Sequence, residues 1–135
     1  PVVLLASVLA ILRPYRPTVR ALARSHRVYA VEMPGSGRAA HLSEPWTLEE
    51  YAGWVAAALE VLALRDATVV GHSHAGGVAV VLAALHPERV GRVVIADGIG
   101  TCRQSFGRVL FGRAIDTLTV ECGLAAREWP ALGYT

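Results

Sequence analysis

The most informative stretch of the sequence is Val69-Val70-Gly71-His72-Ser73-His74-Ala75-Gly76-Gly77. A β-branched run ends here, and small residues surround a serine before an apolar segment begins. This pattern is typical of a nucleophile elbow, a sharp turn between a strand and a helix that raises the serine hydroxyl above the sheet. Gly71 supplies the small residue that the turn needs before the serine, and Ala75, one methyl larger than glycine, supplies the second. A plain strand-to-helix turn is the alternative.

Short β-branched runs alternate with helical segments on both sides of this stretch. The predicted strands are residues 2–5, 27–31, 67–70 and 93–96, and the predicted helices are residues 17–25, 48–64 and 76–85. Thr47 and Glu50 have the spacing of a capping box, which predicts the start of the second helix. The alternation indicates βαβ units, and therefore an α/β fold with a mostly parallel sheet and helices on both faces.

Composition excludes several classes of protein. With 53% hydrophobic and 18% charged residues in 135, the chain can bury one domain's core and is not intrinsically disordered. Its 13 basic residues are all arginines spread along the sequence against 11 acidic ones, which argues against a nucleic-acid surface. The most apolar stretch, residues 2–12, is too short to span a membrane, and no positive region precedes it as in a secretory signal.

The two cysteines, Cys102 and Cys122, lack the spacing of a disulfide framework or a metal site. We expect free thiols in a reducing compartment and therefore a cytoplasmic protein. We expect no cofactor and no bound metal.

The order and spacing of these motifs resemble the α/β-hydrolase fold family of serine esterases and lipases. The resemblance covers residues 1–100 and includes Arg16-Pro17, Pro34-Gly35-Ser36-Gly37-Arg38, the elbow at 71–76 and His86-Pro87-Glu88-Arg89-Val90. It implies that residues 1–100 form part of a hydrolase core. It also implies that residues 101–135 begin a helical lid region.

The resemblance implies roles for four residues. Ser73 would attack a small-molecule acyl substrate and form an acyl-enzyme. The backbone N–H of His74 would donate to the developing oxyanion, and register assigns a second donor to Val8. Asp97 follows the fourth strand, where some family members have the triad acid; the alternative is that it turns the chain before Gly98.

Two departures from the family pattern leave the function open. Ala6-Ser7 stand where the family commonly has His-Gly, and no histidine follows His86, although the family's triad order is serine, acid, histidine. We expect His72 and His74 to point away from the Ser73 hydroxyl.

Two functions are therefore compatible with the sequence. One is a serine hydrolase, most simply an esterase, represented by an incomplete member whose catalytic histidine lies downstream or on a partner polypeptide. The other is a non-catalytic remnant that serves as a binding or interaction module. Acyltransferases and cofactor-free haloperoxidases of the same fold are also compatible with it. An incomplete core would leave the apolar strand at 93–96 on an edge of the sheet.

Overall fold

A computed structural model describes residues 1–7 and 11–98 of the chain. They form a parallel sheet in the order β2-β1-β3-β4. The strands are β1 Val2–Leu5, β2 Val28–Val31, β3 Ala67–His72 and β4 Val90–Ala96. The α-helices are α1 Arg16–Leu22, α2 Leu48–Val61 and α3 His74–Leu85, and a 3-10 turn, Arg13–Tyr15, precedes α1. The predictions for Val8 and for residues 99–135 lie outside the described residues.

Strand β1 lies at the centre of the sheet. Val2 pairs with Val28 of β2 on one side and with Thr68 of β3 on the other. All four β1 residues are buried, which explains why this strand is a continuous apolar run rather than an alternating one. The parallel sheet and the α/β class predicted from the sequence are confirmed.

Helix α2 begins with the predicted capping box. The Glu50 N–H donates to the Thr47 hydroxyl at 3.2 Å, and the Glu50 carboxylate accepts from the Thr47 N–H at 2.7 Å. The helix ends at Val61, three residues before the predicted end, because Ala63 adopts a left-handed conformation with φ 52° that a right-handed helix cannot include. This turn brings Leu64 back into the core.

Helix α3 packs against α2 and against strands β3 and β4. It begins at His74, two residues earlier than the sequence pattern predicts, because the turn between strand and helix is confined to Ser73. Its first six residues and Leu82 are buried. The helix therefore holds the end of β3 in a tightly packed environment.

Strand β4 is an edge strand of the described sheet. Among residues 1–7 and 11–98 it pairs only with β3, and its Val94 and Ile95 are 47% and 42% exposed. The apolar edge expected from the sequence is present in this part of the chain. Across the same ranges, no helix combines the length and the apolar character required to cross a bilayer.

Candidate active site

Ser73 occupies the turn between β3 and α3 in a strained backbone conformation. Its φ and ψ are 56° and −123°, and a non-glycine residue in such a region costs on the order of 1–3 kcal/mol unless the surrounding structure holds it there. Two hydrogen bonds do so: the Ser73 N–H donates to the Ala96 carbonyl at 3.0 Å, and the Ser73 carbonyl accepts from the Gly76 N–H at 2.9 Å. The serine is thus fixed between β4 and the first turn of α3.

Close backbone packing explains the small residues around Ser73. A Cβ atom added to Gly71 would overlap the Ala75 carbonyl group and lie 2.8 Å from the Gly76 Cα. A Cβ atom added to Gly76 would lie 2.8 Å from the Gly98 Cα and 3.0 Å from the Ile95 Cγ2. Ala75 itself is fully buried. The elbow therefore accepts alanine after the serine and needs glycine at 71 and 76.

The two histidines beside Ser73 contact tyrosines. The His72 Nδ1 lies 2.8 Å from the Tyr15 hydroxyl, and the two rings are edge to face at 5.8 Å. The His74 ring is buried and packs edge to face on Tyr51 at 5.3 Å. Because His74 is the first residue of α3, its backbone N–H lies at the helix N-terminus, where the helix dipole favours negative charge.

The segment after β1, residues 6–12, is held at both ends by hydrogen bonds. On the side of β1, the Ala6 N–H donates to the Val31 carbonyl and the Ser7 N–H donates to the Tyr15 hydroxyl, both at 3.1 Å. On the far side, the Leu12 N–H donates to the Glu32 carboxylate at 3.1 Å. Residues 8–10 lie outside the described residues, so the oxyanion role of Val8 stays a prediction.

Sequence reasoning missed Tyr15 and Glu32. Glu32 also accepts from the Arg38 N–H at 3.1 Å, so its carboxylate connects the segment after β1 to the Pro34-Gly35-Ser36-Gly37 turn. A carboxylate directly after a half-buried strand and before a glycine-rich turn is a signal that could have identified it. No comparable signal marks Tyr15, whose partners are distant in sequence.

Asp97 lies just beyond β4, at the same end of the sheet as Ser73, because the preceding residue, Ala96, accepts the Ser73 N–H. It is exposed and has φ 51°, so the chain turns there. The position suits a triad acid, and the left-handed backbone suits the alternative in which Asp97 turns the chain.

The remaining histidines lie away from the elbow in sequence. His26 contacts the Ser25 hydroxyl at 2.8 Å, His41 is exposed in a loop, and His86 follows α3 with its Nδ1 3.8 Å from the Glu88 carboxylate. Within the described part of the chain, no group of three histidine, cysteine or acidic side chains is arranged to hold a metal ion.

Comparison with known proteins finds a matching family model and several similar proteins. A family model described as alpha/beta hydrolase fold matches residues 1–114. The dihydrolipoyllysine-residue acetyltransferase component of the acetoin cleaving system of Cupriavidus necator is 38% identical over 79 residues, which is 58% of this chain and 21% of that protein. The 2-hydroxymuconate semialdehyde hydrolase of Pseudomonas sp. strain CF600 is 33% identical over 87 residues, 64% of this chain and 31% of that one.

A solved structure shows the same architecture. Est816, described as an N-acyl homoserine lactone degrading enzyme, superposes with a TM-score of 0.69 at 26% identity. The superposition covers 73% of this chain and 38% of Est816. The matched region thus spans between about a fifth and two fifths of these proteins.

Proposed function

Because the chain belongs to the alpha/beta hydrolase fold family, we propose that it is a serine hydrolase acting on an ester or a related acyl substrate through Ser73. The observation that carries the proposal is the strained Ser73 backbone, with φ 56°, held between Ala96 and Gly76. Such strain persists only where the surrounding structure holds it, and strained residues cluster at active sites.

In the proposed reaction, the Ser73 Oγ attacks the acyl carbonyl carbon and the leaving group departs, which forms an ester between the serine and the acyl group. Water then attacks this acyl-enzyme and releases the acid, so one difficult displacement becomes two easier ones. In each step the carbonyl carbon becomes tetrahedral and its oxygen carries a negative charge. The His74 N–H at the start of α3 would stabilise that charge by donating to the oxygen.

A second oxyanion donor would come from the segment after β1. The Ala6 and Ser7 amides already donate to Val31 and Tyr15, and each amide carries a single hydrogen. The next amide along the chain is that of Val8, and we assign the second donor to it.

The proton of Ser73 needs a general base, and in this family the base is a histidine oriented by an acid. His72 and His74 contact Tyr15 and Tyr51 respectively, so we assign the base to a histidine downstream or on a partner polypeptide. Asp97 is the proposed acid. A cytoplasmic enzyme with a small-molecule acyl substrate, without a cofactor or a nucleic-acid partner, completes the proposal.

The relatives support the substrate class at a general level. One is described as a hydrolase and one as degrading a lactone, which is a cyclic ester. The relative described as an acetyltransferase component is named for an acetyl group, which is an acyl group. We therefore propose ester or acyl substrates without naming one.

A non-catalytic binding module is the second candidate. The observation that favours it is Ala6-Ser7 after β1, where both amides are used within the fold. Loss of one oxyanion donor reduces turnover by on the order of 10²–10³. A chain with too few donors would keep the fold and lose the reaction.

Labelling with a fluorophosphonate probe tests the proposal, with intact mass as the measurement. We expect the folded protein, tested together with the downstream sequence or the partner polypeptide that supplies the histidine, to gain the mass of one phosphonyl group. The Ser73→Ala variant should gain none, and the Ser43→Ala variant, which changes an exposed loop serine, should label like the unaltered protein. Absence of any mass gain on the folded protein would contradict the hydrolase proposal and favour the binding module.

A further inference from the structure

The Tyr15 hydroxyl connects two parts of the chain that are distant in sequence. It accepts the Ser7 N–H at 3.1 Å and lies 2.8 Å from the Nδ1 of His72, 57 residues away. Ser7 lies in the segment after β1, and His72 directly precedes Ser73. One hydroxyl therefore bridges the segment proposed to supply an oxyanion donor and the elbow that carries the serine.

We assign the direction of this bridge from the number of hydrogens that its groups carry, because the 2.8 Å distance fits either tautomer of His72. A phenol has one hydrogen and can accept through its oxygen lone pairs. The Ser7 N–H donates to the Tyr15 oxygen. When the Tyr15 hydroxyl donates to the His72 Nδ1, both the amide hydrogen and the hydroxyl hydrogen have an acceptor. The neutral imidazole of His72 then carries its hydrogen on Nε2. The bridge thus orients the His72 ring as well as the segment after β1.

We propose that Tyr15 is a positioning residue that holds the segment after β1 at a set distance from the nucleophile elbow. The inference rests on the proposed function, because the distance matters only if that segment and Ser73 act on the same substrate. The bridge also occupies the Ser7 amide, so the oxyanion donor of this segment lies after Ser7. Glu32 holds the far end of the same segment through the Leu12 N–H.

The test compares Tyr15→Phe with Tyr29→Phe. The first variant removes only the bridging hydroxyl; the second removes a tyrosine hydroxyl from β2, a half-buried residue packed against the core. Three measurements are made on the same protein as in the labelling test, with the source of the histidine present: the protonation of the two His72 ring nitrogens by ¹⁵N NMR, the exchange rate of the Ser7 amide, and the labelling rate of Ser73 by a fluorophosphonate as a function of probe concentration.

We expect the unaltered chain and Tyr29→Phe to show an unprotonated Nδ1 in neutral His72 and a protected Ser7 amide. In the Tyr15→Phe variant the His72 ring should become a mixture of its two neutral tautomers, and the Ser7 amide should exchange faster. The labelling rate at saturating probe should fall roughly two- to tenfold, the range expected from one hydrogen bond. The probe concentration for half-maximal rate should stay the same.

Two results would overturn the inference. An unchanged ring and amide in Tyr15→Phe would show that the bridge does not exist in solution. Changed spectra with an unchanged labelling rate would show that the hydroxyl only stabilises the fold. If the unaltered chain does not label at all, the proposed function fails, while the ring and amide measurements still decide whether Tyr15 joins the segment to the elbow.

Discussion

Gly71 lies directly against the backbone of Ala75. A Cβ atom at position 71 would be 2.6 Å from the Ala75 carbonyl carbon, which side-chain motion cannot relieve because the contact is with backbone. The end of β3 and the first turn of α3 can approach this closely only without a side chain at position 71.

Gly71→Ala should therefore disrupt the elbow. We expect the free energy of unfolding in urea to fall by about 1–3 kcal/mol, the usual cost of forcing a methyl group into a packed site, and Ser73 labelling to be lost. Gly53→Ala is the matched control. Gly53 lies within α2 with nothing near its added Cβ, and alanine there should stabilise the helix by about 0.5–1 kcal/mol. Equal stability of the two variants would contradict this account of the elbow.

Glu32→Gln should loosen the segment after β1. The carboxylate accepts from both the Leu12 and Arg38 amides, and its side chain is only 13% exposed. The isosteric amide turns one acceptor into a donor that faces an N–H group. We expect a loss of about 1–3 kcal/mol in urea unfolding, the usual cost of an unmatched buried polar group. Glu44→Gln, on an exposed loop, should be neutral, and a neutral Glu32→Gln would show that these hydrogen bonds do not stabilise the fold.

Leu59→Ala should be among the more destabilising substitutions in α2. Leu59 is 1% exposed, and truncating a buried leucine costs about 2–5 kcal/mol through lost burial and the cavity left behind. Leu62→Ala removes the same atoms from a side chain that is 45% exposed and should cost about 0.5 kcal/mol or less. Urea unfolding of both variants gives the comparison. Similar losses would mean that α2 faces the core differently from the structure described.

Val8→Pro should reduce Ser73 labelling on the order of 10²–10³, because proline has no amide hydrogen to donate to an oxyanion. Val8→Ala keeps the amide and should lose far less. Urea unfolding of both variants separates this effect from a loss of folding. A folded Val8→Pro variant that labels at the unaltered rate would remove Val8 from the proposed site.

The parts of the fold that depend on local pattern were predictable. The β1 run, the Thr47–Glu50 capping box and the position of Ser73 between β3 and α3 depend on residues close together in the chain. Helix ends were less predictable. The end of α2 depends on the left-handed conformation of Ala63. This conformation is uncommon for alanine, and the residue type does not predict it.

The α/β class and the place of Ser73 between a strand and a helix follow from the sequence, because hydrophobic period, turn residues and caps act over a few positions. The contacts that connect the elbow to the rest of the fold are visible only in the tertiary structure. Tyr15 reaches His72 and Glu32 reaches Leu12 across 57 and 20 residues, and Ser73 bonds to Ala96 on a neighbouring strand. Such contacts depend on the order of strands in the sheet and on the packing of the loops at its end, which no local pattern specifies.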